Sequence, residues 1–173
     1  RERVVFSLRT LLGARPNLLE ERPEQAHLIE VDGPVLRDEE LAQLLRMGRQ
    51  DPAFRSATLS ILFPVEQGTD GLLAALDRLC AEAVAAVRGG AHILVLSDRG
   101  VDARHAAIPS LMATGAVHHH LIREGLRMRV SLVVESGEPR EVHHLAALLG
   151  YGANAVNPYL ALRTVRHLSM SGS

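Results

Sequence analysis

Apolar residues along this chain form a regular pattern from about residue 58 onward. Short apolar runs alternate there with longer segments in which apolar side chains recur every three or four positions, the spacing of one helix face. The pattern predicts strands over 59–65, 92–96, 129–134 and 153–156, and helices over 69–88, 109–126, 138–149 and 158–168. The chain therefore repeats a strand–helix unit four times.

The predicted strands 92–96 and 129–134 are apolar at nearly every position, so neither of their faces suits water. A strand buried on both faces is typical of a parallel sheet that is covered by helices. Four such units predict an α/β fold of parallel βα repeats. They form either a partial or reduced (β/α) barrel or an open doubly wound sheet, and the residue pattern leaves both arrangements open.

The first part of the chain lacks this regularity. Residues 1–57 are predicted to form an irregular N-terminal part of the same domain, in which 1–12 has the apolar content of a helix and Asp38 is a suitable N-cap for another. The four βα units then occupy 58–168. Residues 169–173 are expected to form a disordered tail.

Composition narrows the class of protein. The 173 residues suit one domain, and a hydrophobic fraction of 47% with 23% charged residues indicates a globular chain. A net charge of −1 and an aromatic fraction of 3% argue against nucleic-acid binding, which uses basic surfaces and stacking rings. The single cysteine, Cys80, excludes an internal disulfide and an all-cysteine metal site.

No apolar run approaches the length of a membrane span and no secretory signal opens the chain, so we expect no membrane partner and a cytoplasmic location. The chain begins with Arg1 rather than Met, which predicts an excised segment or a processed chain.

Polar residues follow the predicted strands at the points where these strands end. Asp98 and Arg99 come directly after one buried strand, Glu135 follows the next, and Asn157 follows the last. In both candidate architectures, functional residues collect at the carboxyl ends of the strands. A purely structural role, as a salt bridge or a helix cap in the loops, is the simpler interpretation of these side chains.

Histidines suggest a metal site, but their spacing argues against one. Successive helical residues point about 100° apart, so His118, His119 and His120 cannot share one ion. His143 and His144 lie on another predicted helix, with no carboxylate at ligand spacing. We expect one histidine of each group to pack with a bonded ring nitrogen while its neighbour faces solvent.

Four longer stretches resemble a known family. They are ILVLSDR at 93–99, AVHHHLIREGLR at 116–127, LVVESGEPREVHH at 132–144 and GYGANAVNPYLA at 150–161. Together they resemble the central domain of the large chain of glutamate synthase. The resemblance covers nearly the whole chain and ends at about Thr164.

The resemblance implies a role between two reaction centres. In that family a glutaminase domain releases ammonia from glutamine, and a β/α-barrel domain with FMN and an iron–sulfur cluster adds it to 2-oxoglutarate. The central domain joins the two and helps form the ammonia route, and its topology resembles a reduced FMN barrel, which favours the partial-barrel arrangement. The glutaminase and FMN-binding domains are thus the expected partners, and the FMN and the cluster are expected in the rest of the parent chain.

No catalytic, cofactor-binding or metal-ligating residue of the family maps onto this segment, so we expect none here and no activity of the segment alone. Asp98, Arg99, Glu135 and Asn157 are the candidate tunnel or interdomain residues. Two alternatives stay open. One is a free-standing α/β enzyme or small-molecule binder with a strand-end site, and the other is an interaction module that self-associates through exposed apolar surface.

Overall fold

A computed structural model describes residues 7–15, 17, 19–20 and 23–171 of the chain. Strands and helices alternate along most of this length. The strands are β1 (Thr10–Leu12), β2 (Ile29–Val31), β3 (Ser56–Ser60), β4 (Leu62–Pro64), β5 (Ile93–Ser97), β6 (His105–Ala107), β7 (Ser131–Glu135) and β8 (Ala155–Asn157). The helices are α1 (Asp38–Gln50), α2 (Gly68–Arg88), α3 (Ser110–Arg123), α4 (Val142–Gly150) and α5 (Tyr159–Ser171).

The central sheet is parallel and has the order β3-β5-β7-β8. Each of its strands is followed by one helix, α2 to α5 in turn, so the predicted four βα units are confirmed. Strands that follow one another in this sheet are also neighbours in it, and the order does not reverse. A doubly wound sheet requires such a reversal. The sheet therefore has the connectivity of part of a (β/α) barrel.

Both faces of the sheet are covered, as the apolar strand sequences predicted. On one face Leu94 and Leu132 pack with Leu79 of α2 and Val117 of α3. On the other face, alternate residues of the same strands pack with the N-terminal region, whose contributors are Leu12, Leu36, Leu41, Leu44 and Phe54. All five residues of β5 are buried as a result. The irregular first third of the chain is thus the cover of the face that the βα helices leave open.

The helix predicted over 1–12 is wrong in its described part. Thr10–Leu12 forms β1 and pairs antiparallel with β2, while residues 1–6 lie outside the described residues. Leu12 is buried and Leu11 is exposed, which is the alternation of a half-buried strand. The partner strand, close by in sequence, supplies the hydrogen bonds that decide the conformation.

Two further boundaries differ from the predicted ones. The strand predicted over 59–65 is divided into β3 and β4 at Ile61, whose backbone N–H donates to the carbonyl oxygen of Ser97 and whose own carbonyl accepts from Ile108 N. These bonds turn the chain out of the main sheet, and β4 pairs instead with β6. At the C-terminus, α5 continues three residues past the predicted end at Leu168, and the first glycine after it is Gly172. The disordered tail predicted over 169–173 is therefore wrong for 169–171, while residues 172 and 173 lie outside the described residues.

One guanidinium organises the amino-terminal edge of the sheet. Arg127 donates from Nε to His118 Nδ1 (2.9 Å), from Nη1 to Val130 O (2.7 Å) and from Nη2 to Gly152 O (2.6 Å). It thereby joins α3, the start of β7 and the turn before β8. Gly152 has φ +114°, and a Cβ there would lie 2.2 Å from His118 Nδ1, so only glycine fits this turn.

The environments of the two groups of histidines can be compared with the predicted ones. His118 is half-buried and bonded to Arg127, whereas His119 is exposed, as predicted for that group. In the second group both His143 and His144 are exposed, which corrects the expectation that one of them packs in the core. Within the described residues, no helix is long and apolar enough to cross a membrane.

Because the sheet is buried on both faces, shortening one of its core side chains is expected to lower the free energy of unfolding substantially. We expect Leu94→Ala to lower the free energy of unfolding by about 2–5 kcal/mol, because Leu94 is fully buried. The matched control is Leu73→Ala on α2, where the side chain is mostly exposed and the change should stay within about 0.5 kcal/mol. Denaturant unfolding measures both, and equal losses would contradict the assigned core.

The Arg127–His118 contact predicts that the stability of the folded chain depends on pH. Burial lowers the pKa of His118, and the positive charge of Arg127 lowers it further. As pH falls below about 6.5, the unfolded chain therefore takes up a proton that the folded chain does not, and stability decreases. His118→Gln should flatten the stability profile between about pH 7 and pH 5. His167→Gln on the exposed surface of α5 is the control, and an unchanged profile in His118→Gln would contradict the contact.

Candidate functional site

The four predicted site residues lie together at the carboxyl edge of the sheet. Ser97 ends β5 and leads into Asp98 and Arg99, Glu135 ends β7, and Asn157 ends β8. Because these strands are parallel and adjacent, their ends meet at one edge. We call the polar group there the strand-end cluster, which consists of Asp38, Ser97, Asp98, Arg99, Glu135, Ser136, Asn157 and Tyr159.

Arg99 is the hub of one half of the strand-end cluster. Its Nε donates to Glu135 Oε1 at 2.8 Å, and its Nη2 lies 3.6 Å from Asp38 Oδ1. Its Cζ stands 3.6 Å from the centroid of the Tyr159 ring, a cation–π contact. The salt bridge considered for Arg99 as the simpler interpretation is therefore present, with an aromatic face added to it.

Glu135 connects this half back to β5. Its Oε2 accepts a hydrogen bond of 2.6 Å from Ser97 Oγ, and Ser97 Oγ in turn accepts from the backbone N–H of Arg99 at 3.2 Å. Arg99, Glu135 and Ser97 thus form a closed ring of hydrogen bonds. Such a ring holds the guanidinium in one orientation above the sheet.

Asp98 occupies the other half and is only 4% exposed. Its Oδ2 accepts from Ser136 Oγ (2.7 Å) and from the backbone N–H of Gly137 (2.9 Å). Its Oδ1 is buried and accepts no hydrogen bond of ordinary geometry from the described residues. Burying a charged oxygen without a partner costs free energy, so this atom is a marked feature of the site.

Tyr159 lies beside this carboxylate. Burial, and then the neighbouring Asp98 carboxylate, raise the pKa of Tyr159 to about 12. A side-chain hydrogen bond with Asp98 is the second cause of this raised pKa, after burial, so the phenol is a donor next to the carboxylate, while no contact to Oδ1 has ordinary hydrogen-bond geometry. A Cβ on Gly137 would lie 3.1 Å from the phenol oxygen and 3.2 Å from Cζ, so the absence of a side chain at Gly137 allows Tyr159 to pack at this position.

Asn157 is fully buried and joins the N-terminal region to the sheet. Its Nδ2 donates to Leu36 O (2.9 Å) and to Asp38 Oδ1 (3.0 Å). Both partners are acceptors, which fixes the orientation of the amide. Its Oδ1 consequently points elsewhere, and that oxygen is the second buried acceptor without a partner in the described part of the chain.

Asp38 has a different role from the predicted one. The N-cap of α1 is Arg37, whose backbone N–H donates to Glu40 Oε2 at 2.7 Å, and Asp38 is the first helical residue. This frees the Asp38 carboxylate to contact Asn157, Arg99 and Arg163, the last at 3.6 Å. Asp38 and Tyr159 are site residues that were not predicted from the sequence, although the position of Tyr159 two residues after Asn157 is a usable signal.

The charges of the site do not cancel. Three carboxylates, Asp38, Asp98 and Glu135, face two guanidinium groups, Arg99 and Arg163, which leaves one negative charge. Asp98 Oδ1, which belongs to one of these carboxylates, and the neutral amide oxygen of Asn157 are the acceptors without a partner among the described residues. The site is therefore suited to hydrogen-bond donors and to small cations rather than to anions.

Groups for covalent or metal chemistry are not assembled here. Cys80 lies on α2, away from the strand-end cluster, and burial raises the pKa of its thiol, which disfavours the nucleophilic thiolate. Among the residues that the structure describes, no three histidine, cysteine or acidic side chains are grouped to hold a metal ion. What the cluster can do is bind and orient a small polar molecule.

Comparison with known proteins identifies the family. The family model described as the glutamate synthase central domain matches residues 1–173. The chain belongs to this family. The family resemblance predicted from the sequence is thereby confirmed.

Three relatives show how widely this central domain occurs. The chain is 44% identical over 168 residues to a glutamate synthase [NADH] of Schizosaccharomyces pombe, with 97% of the chain and 8% of the relative covered. It is 44% identical to the chloroplastic ferredoxin-dependent glutamate synthase of Spinacia oleracea, over 99% of the chain and 10% of the relative. It is 42% identical to the glutamate synthase [NADPH] large chain of Bacillus subtilis, over 96% and 10%. The chain thus spans about a tenth of the length of the relatives that it matches.

The Asp98–Tyr159 arrangement in this central domain predicts a coupled titration. In a Tyr151→Phe background, where Tyr159 is the only tyrosine, we expect Asp98→Asn to move the pKa of Tyr159 down from about 12, because a negative charge that disfavours the phenolate is removed. Ultraviolet titration of the phenolate band measures it. Asp77→Asn, an exposed carboxylate on α2, is the matched control. The arrangement would be refuted if Asp98→Asn left the titration of Tyr159 where it was.

Proposed function

We propose that this central domain links the glutaminase and FMN-binding domains of its parent glutamate synthase and lines part of the ammonia route between them, without catalysing a reaction alone. The carrying observation is the pair of buried oxygens, Asp98 Oδ1 and Asn157 Oδ1, that lack partners among the described residues at the carboxyl edge. Ammonia has three N–H bonds to donate. Buried acceptors next to apolar strands stabilise such a donor while the surroundings exclude bulk water.

The position of the strand-end cluster supports an accessible route. Asp38 belongs both to the cluster and to the wall of a cleft of about 440 Å³ between the start of α1 and α5. Arg37, Arg163 and Arg166 also line this cleft. Glu39 is a further lining residue, and the Asp38 carboxylate accepts a hydrogen bond from Asn157 Nδ2, so Asp38 connects the cleft with the buried amide of the strand-end cluster.

The exposed surface of α5 supports the linking role. None of its residues in the described part of the chain is buried, although it is amphipathic in sequence. Its apolar side chains with large exposed areas are Leu160, Val165, Leu168 and Met170. Apolar surface of this kind is typical of interfaces, and we assign it to contacts with the other domains of the parent chain. The same surface would promote self-association of an isolated segment.

The redox groups belong elsewhere in this proposal. An iron–sulfur cluster is commonly held by four cysteine thiolates, and this sequence contains Cys80 alone. The side chains present here therefore do not fit a cluster. We place the cluster and the FMN in the remaining domains of the parent enzyme, where the reductive step would take place.

The test uses the full-length gene product that carries this domain. Asp98→Asn keeps the size of the side chain but replaces an acceptor oxygen by an NH₂ group. We expect glutamate formed per glutamine hydrolysed to fall by up to about tenfold, the effect of one lost hydrogen bond on ammonia in the route. Parallel assays of glutamine hydrolysis and of glutamate formation give this ratio.

The control is Asp77→Asn, which makes the same chemical change on the exposed surface of α2 and should leave the ratio unchanged. If Asp98→Asn hydrolyses glutamine and forms glutamate in the same ratio as the wild type, the strand-end cluster does not line the route. Thermal unfolding of both variants verifies that the domain is intact.

A further inference from the structure

A second polar region lies at the opposite, amino-terminal edge of the sheet. A cleft of about 520 Å³ is bounded there by the segment after β1, the end of α2 and the residues that precede β5 and β7. Its lining residues are Ala14, Arg15, His27, Ala53, Val87, Arg88, Gly90, His92 and Arg129. Its volume is in the range of small-molecule sites, about 300–1,000 Å³.

Among the described residues, three arginines and no acidic side chain line this cleft, which we call the basic cleft. Arg88 is paired with Glu124 at 2.8 Å. The guanidinium of Arg129 forms no hydrogen bond or ion pair with the described residues, and that of Arg15 makes only a long contact of 3.4 Å to Leu11 O. Two of the three positive charges in the basic cleft are therefore uncommitted.

The end of α2 disfavours the binding of an anion in the basic cleft, because the carboxyl end of a helix carries about half a negative charge. Arg55 offsets this effect by donating from Nη1 to Gly89 O at 3.1 Å, next to the lining residue Gly90. In the described part of the chain, Asp51 lies 3.8 Å from His27 and Glu124 pairs with Arg88. Counted over these named groups alone, four arginines face two carboxylates, which gives an excess of two positive charges.

Known structural roles account for Arg88 but not for Arg15 and Arg129. Arg88 lies in the last turn of α2, where a cation favours the helix dipole, but Arg15 is in a loop and Arg129 ends a short 3-10 turn. All 19 basic residues of the chain are arginines, so this residue alone cannot single out a site. What distinguishes the basic cleft is that three arginines line one concave surface, without a carboxylate among its described lining residues.

We propose that the basic cleft binds a small oxyanion that carries two or more negative charges, through Arg15 and Arg129 with support from Arg88. Guanidinium groups bind carboxylate and phosphate oxygens with paired hydrogen bonds, which suits both polycarboxylates and phosphate compounds. The site is independent of the strand-end cluster, which lies at the other end of the parallel strands. A ligand there would hold the N-terminal region, α2 and the start of β7 together.

The test is calorimetric titration of the full-length gene product with inorganic pyrophosphate and, separately, with citrate, in magnesium-free buffer. We expect Arg15→Gln/Arg129→Gln to weaken one of the two probes by at least about tenfold, because each lost charge-assisted contact has a substantial effect. The probe that is affected shows whether the ligand class is a phosphate or a carboxylate.

The matched control is Arg46→Gln/Arg49→Gln, which removes the same charge from exposed positions of α1 and should change the affinity less than about twofold, by long-range screening alone. The single variant Arg129→Gln, at an exposed side chain, repeats the test with minimal risk to folding. Equal affinities for both probes in the wild type and in the cleft variants, or no binding of either probe to the wild type, would overturn the proposal.

Discussion

The burial of β5 on both faces is the constraint on which the rest of this structure depends. Its five residues are shielded on one side by α2 and α3 and on the other by the N-terminal region. The second cover is supplied by a segment with little regular structure of its own. Pro34 and Leu36 fix that segment by exchanging backbone hydrogen bonds with Val156 of β8. The irregular part of the chain and the βα repeats therefore form one hydrophobic unit.

The inner strands β5 and β7 are buried along almost all of their length, and the polar groups at their two ends differ in character. The carboxyl edge collects carboxylates and acceptor oxygens around Arg99, while the amino edge collects guanidinium groups around the start of β7. The domain thus has two chemically opposite surfaces separated by the length of the strands.

Sequence reasoning succeeded where local pattern decides the outcome. The four βα units follow from runs such as 93–96, and the meeting of Asp98, Arg99, Glu135 and Asn157 follows from parallel strands ending together. The predictions failed where a contact with a residue distant in sequence decides the local structure. Thr10 to Leu12 are in a strand because β2 is available, and Asp38 turns away from the helix start because Asn157, 119 residues later, offers an amide. The hub role of Arg127 rests on four partners that no spacing rule connects.

The two acceptor oxygens without partners are the strongest indication that the carboxyl edge serves more than stability. Each such buried group costs about 1–3 kcal/mol, and a folded domain of this size has only about 5–15 kcal/mol in total. Asp98 Oδ2 and Asn157 Nδ2 already make the bonds that hold Ser136, Gly137, Leu36 and Asp38. The remaining oxygen on each side chain adds nothing to that framework. These two oxygens are therefore the acceptors that the carboxyl edge offers to a hydrogen-bond donor.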